Sequence, residues 1–402
     1  MRRRVLMMTL LVLSAATAGR AQGMAPVSDA DPPAYPLRLG PLRLAPGLRV
    51  RQVGIDSNIF QEAAAPREDF VVSFTPDVNF YLRPRGMRVS AYLGSDFNYF
   101  HEYSDERFIA PTARGRVDLL FGLFRPYAGG GRTDTQERPN REIDARARRL
   151  DTEYGGGLAF GYSAVSFYYV SATHFANNYA EAQVFEGVDL EQSLDKVTMA
   201  YDAGARLSLT PLTSLSLVAG YSEDRFTYAV ARDASSRYGY GELIFSSDAI
   251  IRGTARLGVR DFEPEDPALD PYLGLIAQVA LVYPVLDRGS FAFAFVRDVT
   301  YSFEQVEGYY VDTTADLTYT HRLYRGWDAQ GRIGWSRLGY AAVNGAGDRN
   351  DGMRVLSGGF GYNFADRSRL GFTYEWSRRS SDERPDREYD RRRVFASWAF
   401  TF

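Results

Sequence analysis

The sequence predicts an all-β fold: a single transmembrane antiparallel up-and-down β-barrel of about 18 strands, with short turns at one end and long loops at the other. Three observations predict it. Apolar residues recur at period two in segment after segment. The connections between those segments alternate short and long. After the N-terminus, no run of about 18 apolar residues offers a transmembrane helix.

The chain opens with Arg2, Arg3 and Arg4, an apolar stretch from Val5 to Ala18, and the small-residue site Gly19-Arg20-Ala21. This is the pattern of a cleaved secretory signal over residues 1–21. A Pro-rich periplasmic segment, 22–41, then precedes a barrel expected over 42–402. Cleavage would remove four arginines and move the net charge from −3 to −7. The chain has no cysteine, which excludes a lipid-attachment thiol, disulfides and thiolate metal sites. Tyrosine (27), phenylalanine (26) and glycine (37) are abundant, and Lys196 is the sole lysine, a composition suited to strands with one lipid face and one polar face.

The clearest strand runs from Asp69 to Arg83. Phe70, Val72, Phe74, Pro76, Val78, Phe80 and Leu82 share one face, and Ser73, Thr75, Asp77 and Asn79 lie on the other. A helical period of 3.6 would scatter these apolar positions. Pro76 has no ladder donor and marks a bulge or local break. After the turn Arg83–Gly86, Met87, Val89, Ala91 and Leu93 oppose Arg88, Ser90 and Tyr92. Val197, Met199, Tyr201 and Ala203 oppose Thr198 and Asp202; Ala255, Leu257 and Val259 oppose Thr254, Arg256 and Arg260; Leu370, Phe372, Tyr374 and Trp376 oppose Arg369, Thr373 and Glu375. The segments are roughly 12–16 residues long, more than sandwich strands need.

Short turns are expected at Arg83–Gly86, Phe124–Pro126, Tyr162–Ala164, Thr210–Leu212, Ser246–Ala249, Pro284–Gly289, Arg322–Gly326 and Ala365–Ser368. Longer polar loops fall between them, including Ser57–Glu68, Glu137–Arg148, Asn178–Leu194, Ala341–Asp351 and Arg379–Tyr389. Short periplasmic turns facing long extracellular loops are the asymmetry of barrels in the bacterial outer membrane, and a β-sandwich has no reason for it. Aromatic residues near strand ends (Phe60, Phe97, Tyr99, Phe175, Tyr179, Tyr221, Phe303, Trp327, Trp335, Tyr362, Trp376 and Trp398) are expected to form two interfacial girdles. The closing segment Val394–Phe402 alternates in the same way; Trp398, Phe400 and Phe402 on its apolar face form the expected signal for barrel-assembly machinery.

If the apolar face meets lipid, the other face lines an interior that receives Arg49, Arg51, Asp77, Arg88, Asp96, Arg114 and Arg116. Asp118, Asp202, Arg206, Arg252, Arg256, Arg332 and Glu375 join them. So many ionisable groups cannot be packed dry, since each unpaired buried charge costs several kcal/mol. A hydrated, mixed-charge lumen follows, either selecting solutes by charge or held as ion pairs that stiffen the wall. The expected inward tyrosines Tyr81, Tyr92, Tyr168, Tyr238 and Tyr240 suit either stacking on sugar rings or packing of the wall.

No catalytic frame is visible. His101, His174 and His321 stand on separate segments without a partner Ser or Asp pattern. Asp348–Gly352 resembles part of a calcium loop, lacks the glutamate that would complete it, and reads as a polar turn. No enzyme activity, cofactor or metal is expected. Basic residues alternate with acids and the balance is negative, so no nucleic-acid partner is expected either. The expected partners are outer-membrane lipid and lipopolysaccharide, whose phosphates the arginines of the Arg378–Arg393 hairpin can meet.

Val53-Gly-Ile-Asp-Ser-Asn-Ile-Phe60, followed by the strand containing Ser73-Phe-Thr-Pro76, resembles the opening of the "putative β-barrel porin 2" family, and the layout is similar along nearly the whole chain after the leader. The resemblance implies an outer-membrane barrel of roughly 18 strands. It also implies association with exopolysaccharide export, and on that reading a polysaccharide export apparatus is a further partner. The alternative is a general or nutrient-uptake porin for small solutes.

Overall fold

The computed structural model describes residues 35–161, 166–286, 288–304, 307–341, 349–364 and 368–401. Eighteen long strands form one antiparallel sheet that closes on itself. They are β1 (Leu42–Asp56), β2 (Asp69–Leu82), β3 (Met87–Phe100), β4 (Phe108–Leu119), β5 (Phe124–Thr135) and β6 (Arg149–Phe160). There follow β7 (Ser166–Tyr179), β8 (Lys196–Thr210), β9 (Thr213–Phe226), β10 (Ala234–Phe245), β11 (Arg252–Pro264) and β12 (Tyr272–Val285). The last are β13 (Gly289–Tyr301), β14 (Tyr309–Arg322), β15 (Trp327–Ala341), β16 (Asn350–Phe364), β17 (Ser368–Ser381) and β18 (Tyr389–Thr401). Each pairs with its chain neighbours, and β1 with β18 completes the ring. A three-residue strand, Leu37–Leu39, folds back on β1. Phe402, the signal segment 1–21, the turn at Tyr162–Ala164, most of the turn at Ala365–Ser368, and Asp348 lie outside the described residues.

Closure depends on a defect. The ladders from β1 to β2 and to β18 both shift register just after Val50, so Arg51 occupies a β-bulge. The extra residue changes the phase of the strand. Arg49 faces inward before the bulge, and Gly54 and Asp56 face inward after it, which leaves Val53 and Ile55 outside. Gly54 is required at this seam, because a Cβ there would sit 2.0 Å from the Val394 carbonyl oxygen. At Pro76 the ladder from β2 to β3 skips the rungs between Phe74 and Asp77 without a shift in register, the local break its missing donor predicts.

The facing follows the alternation in the strands where one face is purely apolar. Tyr201, Leu257, Ile333 and Phe372 are exposed on the outer surface, whereas Asp202, Thr198 and Glu375 are buried inside. Four details differ. Tyr168 points outward and Tyr169 inward, because the run Phe167-Tyr168-Tyr169-Val170 is apolar on both faces. Phe175 and Tyr179 share the inward face of Thr173 and Asn177, while Phe303 and Phe60 pack into clusters at the mouth, so these four leave the girdles. The turn expected at Phe124–Pro126 lies earlier, at 120–123, where Gly122 takes φ +67° and Pro126 pairs within β5 and β6. Asn350–Gly352 is no turn but the opening of β16.

The remaining girdle residues face outward. Trp327 packs against Tyr362 at 5.1 Å between ring centroids near the short-turn end. Tyr99, Trp335 and Trp376 lie toward the other end. The inward tyrosines lie flat on the wall over glycines of adjacent strands: Tyr127 over Gly157, Tyr169 over Gly204, Tyr238 over Gly220. All three are buried, which makes them packing residues of the wall.

Leu257→Arg should destabilise the barrel by about 2–4 kcal/mol, the cost of a cation at the lipid midplane, and by more than Arg256→Leu. Urea unfolding from lipid vesicles checks this; equal tolerance at the two positions would refute the facing.

Candidate functional site

Ion pairs crowd the inner wall. Arg49 bonds Asp77 at 2.8 Å, and Arg51, standing out on its bulge, reaches Asp96 at 3.4 Å and Glu137 at 3.5 Å. Asp118 lies between Arg116 (2.9 Å) and Arg88 (3.5 Å). Arg256 bonds Glu242 at 2.9 Å. Arg332 contacts Asp316 at 2.6 Å and Glu375 at 3.6 Å, and Glu375 also binds Arg393. Asp202 accepts the Tyr238 hydroxyl at 2.9 Å, Arg206 lies over the Phe167 ring, and Arg252 donates to the Ala249 carbonyl. Arg114 has the inward phase of Arg116 and is exposed to the interior. Trp398 and Phe400 stack with 6.0 Å between ring centroids near the end of β18.

The candidate functional centre is a loop that local sequence does not reveal. The 13-residue connection from β5 to β6, residues 136–148, folds into the barrel mouth. Its near end is tied to neighbouring loops: Arg138 and Arg146 donate to the Ile59 carbonyl, and Arg146 pairs with Glu106 at 2.9 Å. Its tip reaches the far wall. Arg141 bonds Asp312 of β14 at 2.9 Å, and Asp144 bonds Arg379 of β17 at 2.9 Å and Arg387 at 3.1 Å. β14 stands nine places on from β5 in a ring of 18, so the loop spans the lumen along a diameter. Thirteen residues out and back extend about 20 Å. The side chains of Arg141 and Arg379 close the remaining distance.

The arch is built for that span. The Asn140 side-chain oxygen accepts from the backbone nitrogens of Glu142 and Ile143, each at 2.9 Å, and turns the tip. Ile143 packs with Ala147, Phe303, and Leu190 and Leu194 of a short helix α1 (Leu190–Leu194) in the β7–β8 connection. Arg379 also donates to the Glu142 carbonyl, and the fully buried Asp351 joins the knot through Arg349 and Arg379. Breaking one such buried pair costs roughly 3–5 kcal/mol, because a charge is left unpaired. Glu142 is fully buried at the tip and accepts from the Ser302 hydroxyl at 2.5 Å and the Phe303 backbone nitrogen at 3.1 Å. Burial pushes its carboxyl up to about 7, against the opposing pull of Ser302 and Arg387.

Beside the arch a cavity of about 100 Å³ remains. Asn140, Arg149, Lys196, Asp224, Arg260 and Asp298 line it. Lys196 bonds Asp224 at 2.6 Å, Arg260 bonds Asp298 at 3.2 Å and Arg149 bonds Asp151 at 3.1 Å, so each of the three cations beside the cavity is held to a carboxylate.

A closed barrel of 18 strands with a polar interior, girdled by aromatics and crossed by an inward loop, defines an outer-membrane channel of the porin class. The chain belongs to the family described as "Putative beta-barrel porin 2", which it matches over residues 34–402. It is therefore a channel of the outer membrane rather than an enzyme. No curated protein sequence matches it. Among solved structures it is similar to Pseudomonas aeruginosa OccK2 (OpdF) in complex with glucuronate, at 12% identity and a TM-score of 0.50, covering 89% of this chain and 98% of that one. It is also similar to a BenF-like porin from Pseudomonas fluorescens Pf-5, at 10% identity and a TM-score of 0.49, covering 89% and 99%. The siderophore receptor PirA from Acinetobacter baumannii follows at 8% identity and a TM-score of 0.44, covering 90% and 81%.

The raised Glu142 pKa makes the docked loop sensitive to pH. Its value with the loop in place lies above the 4.5 of a free carboxyl, so docking takes up a proton. That contribution is complete below about 4.5 and is lost as pH rises through about 7. Single-channel current should therefore rise between about pH 6 and about pH 8, and Glu142→Gln should remove the dependence. A wild-type current that is flat across this range would contradict the assignment.

Proposed function

We propose that the protein is a passive diffusion channel for small polar solutes, the nutrient-uptake reading, in preference to a conduit for secreted polysaccharide. The observation that carries this is the arch from β5–β6 to β14 and β17. A polymer needs an unbroken bore along the barrel axis, and the arch divides the extracellular mouth along its diameter. A small solute needs only the space beside the arch.

The groups on that path set the preference. Arg149, Lys196 and Arg260 line that path, each shared with one carboxylate, and offer donors to the oxygens of a small polar solute. The OccK2 barrel, which shares the fold, was determined with glucuronate, and we extend that class, a sugar-sized acid, to this chain. Polysaccharide export keeps its support from what the family resemblance implies, and the same experiment addresses it.

Proteoliposomes holding the mature protein should swell faster in glucuronate than in a neutral sugar of equal size. Replacing residues 138–146 by a short Gly-Ser linker should raise single-channel conductance severalfold. Current blocked by an added acidic polysaccharide, together with no swelling in small acids, would instead favour export.

A further inference from the structure

We propose that the outer surface of β15–β18 is a binding site for the phosphate groups of an outer-leaflet lipid. Arg337, Arg354, Arg378 and Arg392 lie on these four successive strands, all on the outward phase and all exposed. Each stands three or four residues from the extracellular end of its strand, so they share one depth. Arg354 and Arg378 are direct cross-strand partners. That geometry brings their Cβ atoms to about 5 Å and is destabilising for two like charges without a counter-ion. Arg337 is the diagonal neighbour of Arg354, whose direct partner is Trp335, and Arg392 is the direct partner of Trp376.

Among the described residues none of the four forms an ion pair, and Arg337 donates instead to the Asn350 side-chain oxygen at 2.9 Å. Asp390 is the one carboxylate in the row, opposite Arg378, and accepts the Trp376 indole N–H at 3.2 Å. On β9 and β10, by contrast, outward arginines are neutralised: Arg225 by Asp233 and Glu265, Arg237 by Glu263.

The surroundings select a lipid over a free anion. Toward the membrane centre the patch borders on outward Ile333, Leu356, Tyr374 and Val394, an apolar band that acyl chains would cover. Trp335 and Trp376 stand at the boundary, where interfacial tryptophans sit. Four strands at the usual spacing carry the arginines across about 14 Å, room for a headgroup with more than one phosphate. Arginine forks suit such oxygens.

Native mass spectrometry of the full mature protein in detergent tests this, with bis-phosphorylated lipid A and its dephosphorylated form as probes. The wild type should retain the phosphorylated lipid roughly tenfold better, and the double variant Arg354→Gln/Arg378→Gln should lose that preference with unchanged conductance. Heat-modifiable mobility reports that the variant is folded; if it is not, the wild-type comparison of the two lipids decides alone. Equal retention of both lipids, undiminished retention by a folded variant, or equally tight binding of inorganic phosphate alone would overturn the proposal.

Discussion

Hydrocarbon offers no hydrogen-bond partner to a peptide group, and this constraint governs the whole molecule. A sheet in the membrane must have no free edge, so the first strand has to meet the last. The seam between β1 and β18 is where that demand becomes local. The bulge at Arg51 gives β1 two consecutive residues toward the inside, and the missing side chain of Gly54 lets β18 approach. Without the change of phase, Val53 and Ile55 would turn inward and Asp56 would turn to lipid.

Once the sheet closes with its apolar face outward, the polar face has nowhere to go but the interior. The wall meets that load with pairs such as Arg49–Asp77 and Arg256–Glu242, and with tyrosines laid over glycines. Pairing of this kind contributes little net stability in water. Its effect is geometric: long side chains are pinned to the wall and kept out of the bore. At the mouth the same chemistry works across the lumen, where Arg141, Asp144 and Arg379 join elements far apart in the chain.

The legibility of the sequence follows from this division. In β2 and β8 one face is purely apolar, so direction and pairing can be read from period two alone. In β7 both faces carry aromatics, so the alternation places Tyr168 and Phe175 on the wrong sides. A bulge leaves only an interrupted alternation, and Pro126 carries a stronger local turn signal than Gly122, the residue that makes the turn. In sequence the arch has only the character of an extracellular loop, because the side-chain partners of Glu142 and Asp144 lie 160 or more residues away and no local pattern encodes them. A faint signal was present: Ile143, Ala145 and Ala147 alternate with charges inside a stretch otherwise suited to water.

The arch also has a mechanical meaning. A sheet rolled into a hoop is soft against flattening, since its circumference can be conserved while its cross-section turns from a circle into an ellipse. A tie fixed to opposite walls removes much of that freedom. With Arg146 and Glu106 at one abutment and Arg141 and Asp312 at the other, lateral pressure from the bilayer is borne partly by the loop itself. The element that narrows the passage is thereby also a strut that keeps the barrel round.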